Sequence, residues 1–122
     1  MATISSTFVY PIGSHTDCVL TDGAIRRGYA YFPKIEVEQM FPWECLGERD
    51  GDKGMPRRRG SQITFELDGG GELITDMAGR GQQYRPGTSL AQWYRRVRAA
   101  EGDQVRLTCI GEARYRVKLN RR

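Results

Sequence analysis

The stretch Ile63-Thr64-Phe65-Glu66-Leu67-Asp68-Gly69-Gly70-Gly71-Glu72-Leu73-Ile74-Thr75-Asp76-Met77 decides the fold class. Ile63, Phe65 and Leu67 alternate with Gln62, Thr64 and Glu66, the period of a strand with one buried face. Asp68-Gly69-Gly70-Gly71 then turns the chain into a second strand over 72–77, so the whole stretch reads as a β-hairpin.

The same alternation returns near the C-terminus. Val105, Leu107 and Cys109 alternate with polar neighbours, and Cys109 falls on the inward phase, where a small buried thiol is expected. Gly111-Glu112 is predicted as a two-residue turn of the Gly-first kind. Tyr115, Val117 and Leu119 then alternate with Arg114, Arg116 and Lys118, giving a second hairpin with a basic outer face. Towards the N-terminus, 8–12, 18–21 and 29–32 read as shorter strands, and Pro33 ends the last because proline cannot donate to a ladder. Two helices are predicted. A short one at about 35–41 is closed by Pro42. A longer one over 89–100 starts from a Ser89/Gln92 capping box and buries Leu90, Trp93, Tyr94 and Val97 before Gly102 stops it. Fifteen glycines in 122 residues, against a usual frequency of about 7%, fit a turn-rich chain. The aperiodic, charged stretch at 47–61 is predicted to be a long basic loop. The expectation is one mainly β domain over 1–122 with about seven strands, closed towards a barrel.

Composition narrows the functional classes. The hydrophobic share of 39% and charged share of 28% are those of a globular domain. No apolar run approaches the roughly 18 residues needed to span a bilayer, and no basic-then-apolar leader opens the chain. A cytoplasmic location without membrane partners is expected. Three cysteines, an odd number, argue against a disulfide framework. The formal net charge is +4, and with lysine only at Lys34, Lys53 and Lys118, sixteen of the nineteen basic residues are arginine. Arginine's planar fork suits phosphates and base edges, which points to a nucleic-acid partner. A single histidine, His15, leaves little for acid–base catalysis.

The order of the elements resembles the B3-type DNA-binding pseudobarrel of plant transcription factors and restriction-endonuclease effector domains. The resemblance runs from about 18 to 119. It begins at Leu20-Thr21-Asp22, continues through Gly23-Ala24-Ile25-Arg26-Arg27 to Tyr31-Phe32-Pro33-Lys34, and then Met40-Phe41-Pro42. The central hairpin with its Asp-x-x-Gly turn follows, then Gly79 to Gln83, Tyr84-Arg85-Pro86, the helix with Trp93-Tyr94, and Gly102-Asp103-Gln104-Val105. Thr21 stands where the family commonly has Ser, and the 47–61 loop is longer than the plant pattern. The arginine-rich composition is closer to a bacterial restriction system than to the plant branch. The resemblance implies a seven-stranded open pseudobarrel and a non-catalytic effector domain without cofactor or metal. Any nuclease would lie in another domain or chain, and the bound form would be nucleoid-associated.

It also implies two arms that grip the major groove of double-stranded DNA. The first holds Thr21, Asp22, Arg26 and Arg27; the second holds Arg80, Gln82, Gln83 and Arg85. Arginine pairs with guanine, glutamine with adenine, and aspartate accepts from cytosine. Lys34 and the run Arg57, Arg58 and Arg59 are candidate phosphate contacts. The stripe of Arg106, Arg114, Arg116 and Lys118 reads instead as a solvated strand face. Two alternatives remain. One is a small RNA-binding barrel using Tyr29, Tyr31 or Trp43 as stacking platforms, although Trp93 and Tyr94 fit the core. The other is a metal-dependent hydrolase built on Asp68, Glu72 and Asp76; against it, Asp68 suits a turn.

Overall fold

The alternating stretches become paired strands because each buries one face and leaves its backbone groups to neighbours. The computed structural model describes residues 7–48 and 59–122. In chain order the elements are β1 (His15–Val19), α1 (Asp22–Arg27), β2 (Phe32–Pro33), α2 (Lys34–Met40), a 3-10 turn (Trp43–Cys45), β3 (Leu46–Glu48), β4 (Ile63–Leu67) and β5 (Glu72–Thr75). They continue with β6 (Met77–Arg80), β7 (Gln83–Pro86), α3 (Ala91–Val97), β8 (Gln104–Gly111) and β9 (Arg114–Asn120). The chain is mainly β, as expected, but the described residues form nine strands in two sheets rather than seven. One sheet runs β1-β8-β9-β4-β5 and the other β2-β7-β6-β3. Each mixes antiparallel pairs with one parallel pair, β4 with β9 and β3 with β6.

The extra strands have local causes. The expected strand over 72–77 breaks at Asp76, whose buried carboxylate accepts the Gly60 N–H at 2.9 Å. Before the break β5 pairs with β4; after it β6 joins the other sheet. Gly47 and its neighbours, expected in a loop, form β3 against β6. Residues 8–12 form no strand: the Ile12 N–H turns back onto the Tyr10 carbonyl at 2.9 Å. The strand expected over 18–21 starts earlier, as β1, and that over 29–32 shrinks to Phe32 and Pro33. The last hairpin turns one residue later than expected, at Glu112-Ala113, because Gly111 still pairs with Arg114 across a bulge. Ala113 there takes the left-handed conformation at φ 52°.

The core lies between the sheets and the helices. Tyr115 is fully buried, stacked on Phe41 at 4.1 Å, and donates its hydroxyl to the Met40 carbonyl at 2.6 Å. This bond ties β9 to the end of α2. Trp93 and Tyr94 are buried, as the helical stripe predicts. The Trp93 indole N–H donates to Asp68 O and the Tyr94 hydroxyl to Tyr29 O, so each ring brings a satisfied polar end into the core. The capping-box expectation needs correcting. Ser89 Oγ accepts from Ala91 N at 3.1 Å, but Leu90 is the N-cap and uses no side-chain bond. The helix stops at Arg98, in the left-handed region at φ 55°, well before Gly102.

Candidate nucleic-acid interface

The first predicted arm is a helix, which sequence reasoning treated only as a basic segment. Thr21 is extended, with φ −98° and ψ 161°, and its Oγ1 accepts the Ala24 N–H at 3.1 Å, capping α1. Asp22 sits in the first turn, where a carboxylate complements the helix dipole, and its own N–H donates to Glu101 Oε2 at 3.2 Å. Gly28 ends the helix at φ 78°, and a Cβ there would collide with Ser89 Oγ. Glycine is therefore required both for the turn and for the approach of α3. Arg26 reaches Asp22 at 3.2 Å, but both side chains are largely exposed, so the pair is weak. Arg27 is exposed and has no carboxylate within ion-pair distance among the described residues.

The second predicted arm is the β6–β7 hairpin. Gly81, at φ 60°, and Gln82 make a two-residue turn, and Arg80 pairs with Gln83 across it. Gln82 and Gln83 are exposed at this tip. Arg85 is separated from them. It is buried, with its guanidinium 4.3 Å above the Tyr29 ring and Nη1 donating to the Pro86 carbonyl. Of the four residues of this arm, the glutamines face solvent and Arg85 faces inward, where it braces Tyr29 just after α1.

The register relates the two groups. Phe32 pairs with Tyr84 and Pro33 with Gln83. Beyond one end of this ladder the Lys34 N–H donates to the Gln82 carbonyl; beyond the other, the Leu90 N–H donates to the Gly28 carbonyl. The hairpin tip and α1 thus stand at opposite ends of β2 and β7 rather than in contact. Six residue steps separate Gly28 from Lys34, at most about 20 Å of extended chain, against a major groove about 12 Å wide. Lys34 stands beside the tip. Arg59 is exposed and lines a small polar cavity with Asp76 and Arg85, whereas Arg57 and Arg58 lie outside the described residues.

On the five-stranded sheet the arginines of the C-terminal stripe meet carboxylates. Arg106 binds Asp17 through two bonds of 2.8 and 3.2 Å. Arg114 bridges Glu66 at 2.9 Å and Glu72 at 2.7 Å, and Arg116 reaches Glu66 at 3.6 Å. Those carboxylates hold the Arg106 and Arg114 guanidinium groups above their ordinary pKa. The three arginines of the stripe thus meet carboxylates on a solvent-facing strand face, while Lys118 is exposed without an ion pair among the described residues.

The three carboxylates of the hydrolase reading lie in different settings. Glu72 is engaged by Arg114, Asp76 is buried on the Gly60 amide, and Asp68 lies exposed in its turn. Among the described residues no group of three His, Cys, Asp or Glu side chains is placed to hold a metal ion. Burial raises the pKa of Cys18, Cys45 and Cys109 above that of an ordinary thiol. Of the stacking candidates, Trp43 is exposed while Trp93 and Tyr94 are core. No helix among the described residues is long and apolar enough to cross a membrane. No family model and no curated protein sequence matches the chain.

The sequence pattern gives Arg95 and Arg98 no site role: they fall off the apolar stripe of the helix, and Arg98 also suits its negative end. They are exposed, and neither has a carboxylate within ion-pair distance among the described residues. The signal was present in their type and spacing, but it gains meaning only when α3 is seen lying against α1.

Proposed function

We propose that the chain is a non-catalytic module that recognises double-stranded DNA, with its two sheets serving as the halves of an open B3-like pseudobarrel. The supporting observation is the split of polar groups across the β2–β7 ladder. At one end, a capped helix offers Thr21, Asp22, Arg26 and Arg27. At the other, a tight hairpin tip offers Gln82 and Gln83, with Arg80 the last residue of β6 beside it in the chain. Arginine, glutamine and aspartate are the side chains that read base edges bidentately or accept from cytosine. Rigid supports on both sides, a glycine-stopped helix and a ladder-paired hairpin, fit a reader that must hold its register. In this reading Lys34 and Arg59 touch phosphates, while Arg85 acts through Tyr29 as a brace and reads no base. The protein acts as the target-recognition part of a restriction system whose cutting domain lies elsewhere.

Duplex and single-stranded probes of one sequence, titrated at stated salt, test this reading. Duplex binding that weakens when Arg27 or Gln82 becomes Ala, and is unmoved by Arg116→Ala, is expected. Preference for single-stranded RNA, or sensitivity only to Arg116→Ala, would favour the small RNA-binding barrel or the sheet face instead.

A further inference from the structure

Between α1 and α3 runs a groove of about 280 Å³. Ile25, Ala91 and the buried Tyr94 line it together with the exposed Arg26, Arg95 and Arg98. The helices are held there by the Leu90–Gly28 backbone bond at 2.8 Å and by the Asp22 amide on Glu101. Three guanidinium groups, one from α1 and two from the C-terminal end of α3, thus line one groove beside the exposed Arg27.

Two observations separate these arginines from ordinary surface charge. First, the sheet-face arginines Arg106, Arg114 and Arg116 each meet a carboxylate. Arg95 and Arg98 meet none among the described residues, and Arg26 has only its exposed pairing with Asp22. Second, Arg98 occupies the left-handed position that closes α3, at φ 55°, where glycine avoids the Cβ strain. The fold uses only its backbone: its carbonyl accepts from Arg121 Nη1 at 2.9 Å, and its N–H bonds Arg95 O. Its side chain makes no hydrogen bond or ion pair among the described residues. A strained arginine whose side chain has no structural task is suited to a ligand outside the chain.

We infer that the α1–α3 groove binds the phosphodiester backbone of duplex DNA, with Arg26, Arg95 and Arg98 contacting phosphates of the strand that borders α1. This rests on the DNA-recognition reading and extends its footprint from α1 to α3, with Arg26 given to phosphate and base reading on α1 left to Asp22 and Arg27. The guanidinium fork matches two phosphate oxygens at once, and the contact is independent of base sequence. The Arg26–Asp22 pair is largely exposed and therefore weak, so a phosphate can displace it.

The test is fluorescence anisotropy of a labelled duplex of about 20 base pairs over roughly 50–200 mM salt. The variants are Arg95→Ala, Arg98→Ala, Arg98→Gly and Gln82→Ala, each checked by thermal melting. Each arginine variant is expected to reduce the slope of log K against log salt by about 0.9 while leaving base preference intact. Arg98→Gly is expected to melt above the wild type and yet lose the same slope as Arg98→Ala, an outcome that a merely structural role would not give. Wild-type binding whose preference depends on Gln82, with slopes unchanged in all three arginine variants, overturns the groove assignment alone. Absence of salt-dependent duplex binding by the wild type overturns the DNA reading and this inference together.

Discussion

On the proposed DNA-recognition reading Thr21 has two separable tasks, and one set of substitutions divides them. Its Oγ1 accepts the Ala24 N–H at 3.1 Å. A hydroxyl that accepts one bond still has its proton to donate, so an exposed Thr21 can cap α1 and bond a phosphate simultaneously. Thr21→Ala removes both functions. Loss of the cap should cost about 1 kcal/mol of stability, a fall in Tm of roughly 4 °C for a chain of this size. Loss of the donor to a charged oxygen should cost about 1.5 kcal/mol of binding, roughly tenfold in affinity. Thr21→Asp restores the cap, since aspartate is among the best N-cap residues. It has no proton to donate and adds a negative charge beside the phosphate. Its melting temperature should return to wild type while its duplex affinity stays below that of Thr21→Ala. Thr21→Ser should preserve both. Scanning calorimetry and anisotropy at fixed salt measure the two quantities. An aspartate variant that is stable and binds like wild type would show that Thr21 is a cap and nothing more. An alanine variant of unchanged stability would show that α1 does not depend on the cap.

Three further outcomes concern the scaffold. Tyr115→Phe deletes the donor to the buried Met40 carbonyl and should cost about 1–3 kcal/mol in urea unfolding; a loss near zero would mean that this bond does not secure β9 to α2. Ala113→Gly relieves a left-handed alanine at φ 52°. It should raise stability by about 0.5–1 kcal/mol, the strain removed less the glycine entropy added, and a lower melting temperature would contradict that. The Asp103 carboxyl is held below its usual pKa by the Arg122 and Ala100 N–H groups. Its contribution is therefore complete above the ordinary aspartate pKa of about 3.9 and fades as pH falls through the lowered folded value. Asp103→Asn should flatten the acid limb of a urea-midpoint profile below about pH 4; parallel limbs would remove Asp103 as its cause.

What was legible in the sequence followed from periodicity. The alternation from Ile63 to Leu67 marked β4 with its true bounds, and the Trp93-Tyr94 stripe marked the buried face of α3. The misses came where local pattern and tertiary demand diverge. Alternation continues past Asp76, but that carboxylate is needed on the Gly60 amide, and the strand divides there between two sheets. Helix α1 is too short for a stripe, and Gly23 lowers its propensity, although Thr21 and Gly28 are recognisable cap and stop signals. Gly102 looked like the stop of α3 because glycine is the usual left-handed residue, yet that position is Arg98. The candidate arms were named residue by residue from the resemblance, but two placements depended on packing. Arg85 turned inward over Tyr29, and Arg95 and Arg98 came to the same groove as Arg26.

Selection of bound sequences from a random duplex pool, at a single stated salt concentration, probes DNA recognition most directly. The wild type should enrich a defined motif. Gln82→Ala should relax one position of it at a cost of about 1–3 kcal/mol, while Arg116→Ala leaves the motif whole. A pool that shows no enrichment, or a motif that survives Gln82→Ala and Arg27→Ala but dissolves with Arg116→Ala, would mean that these two ends of the β2–β7 ladder do not read DNA.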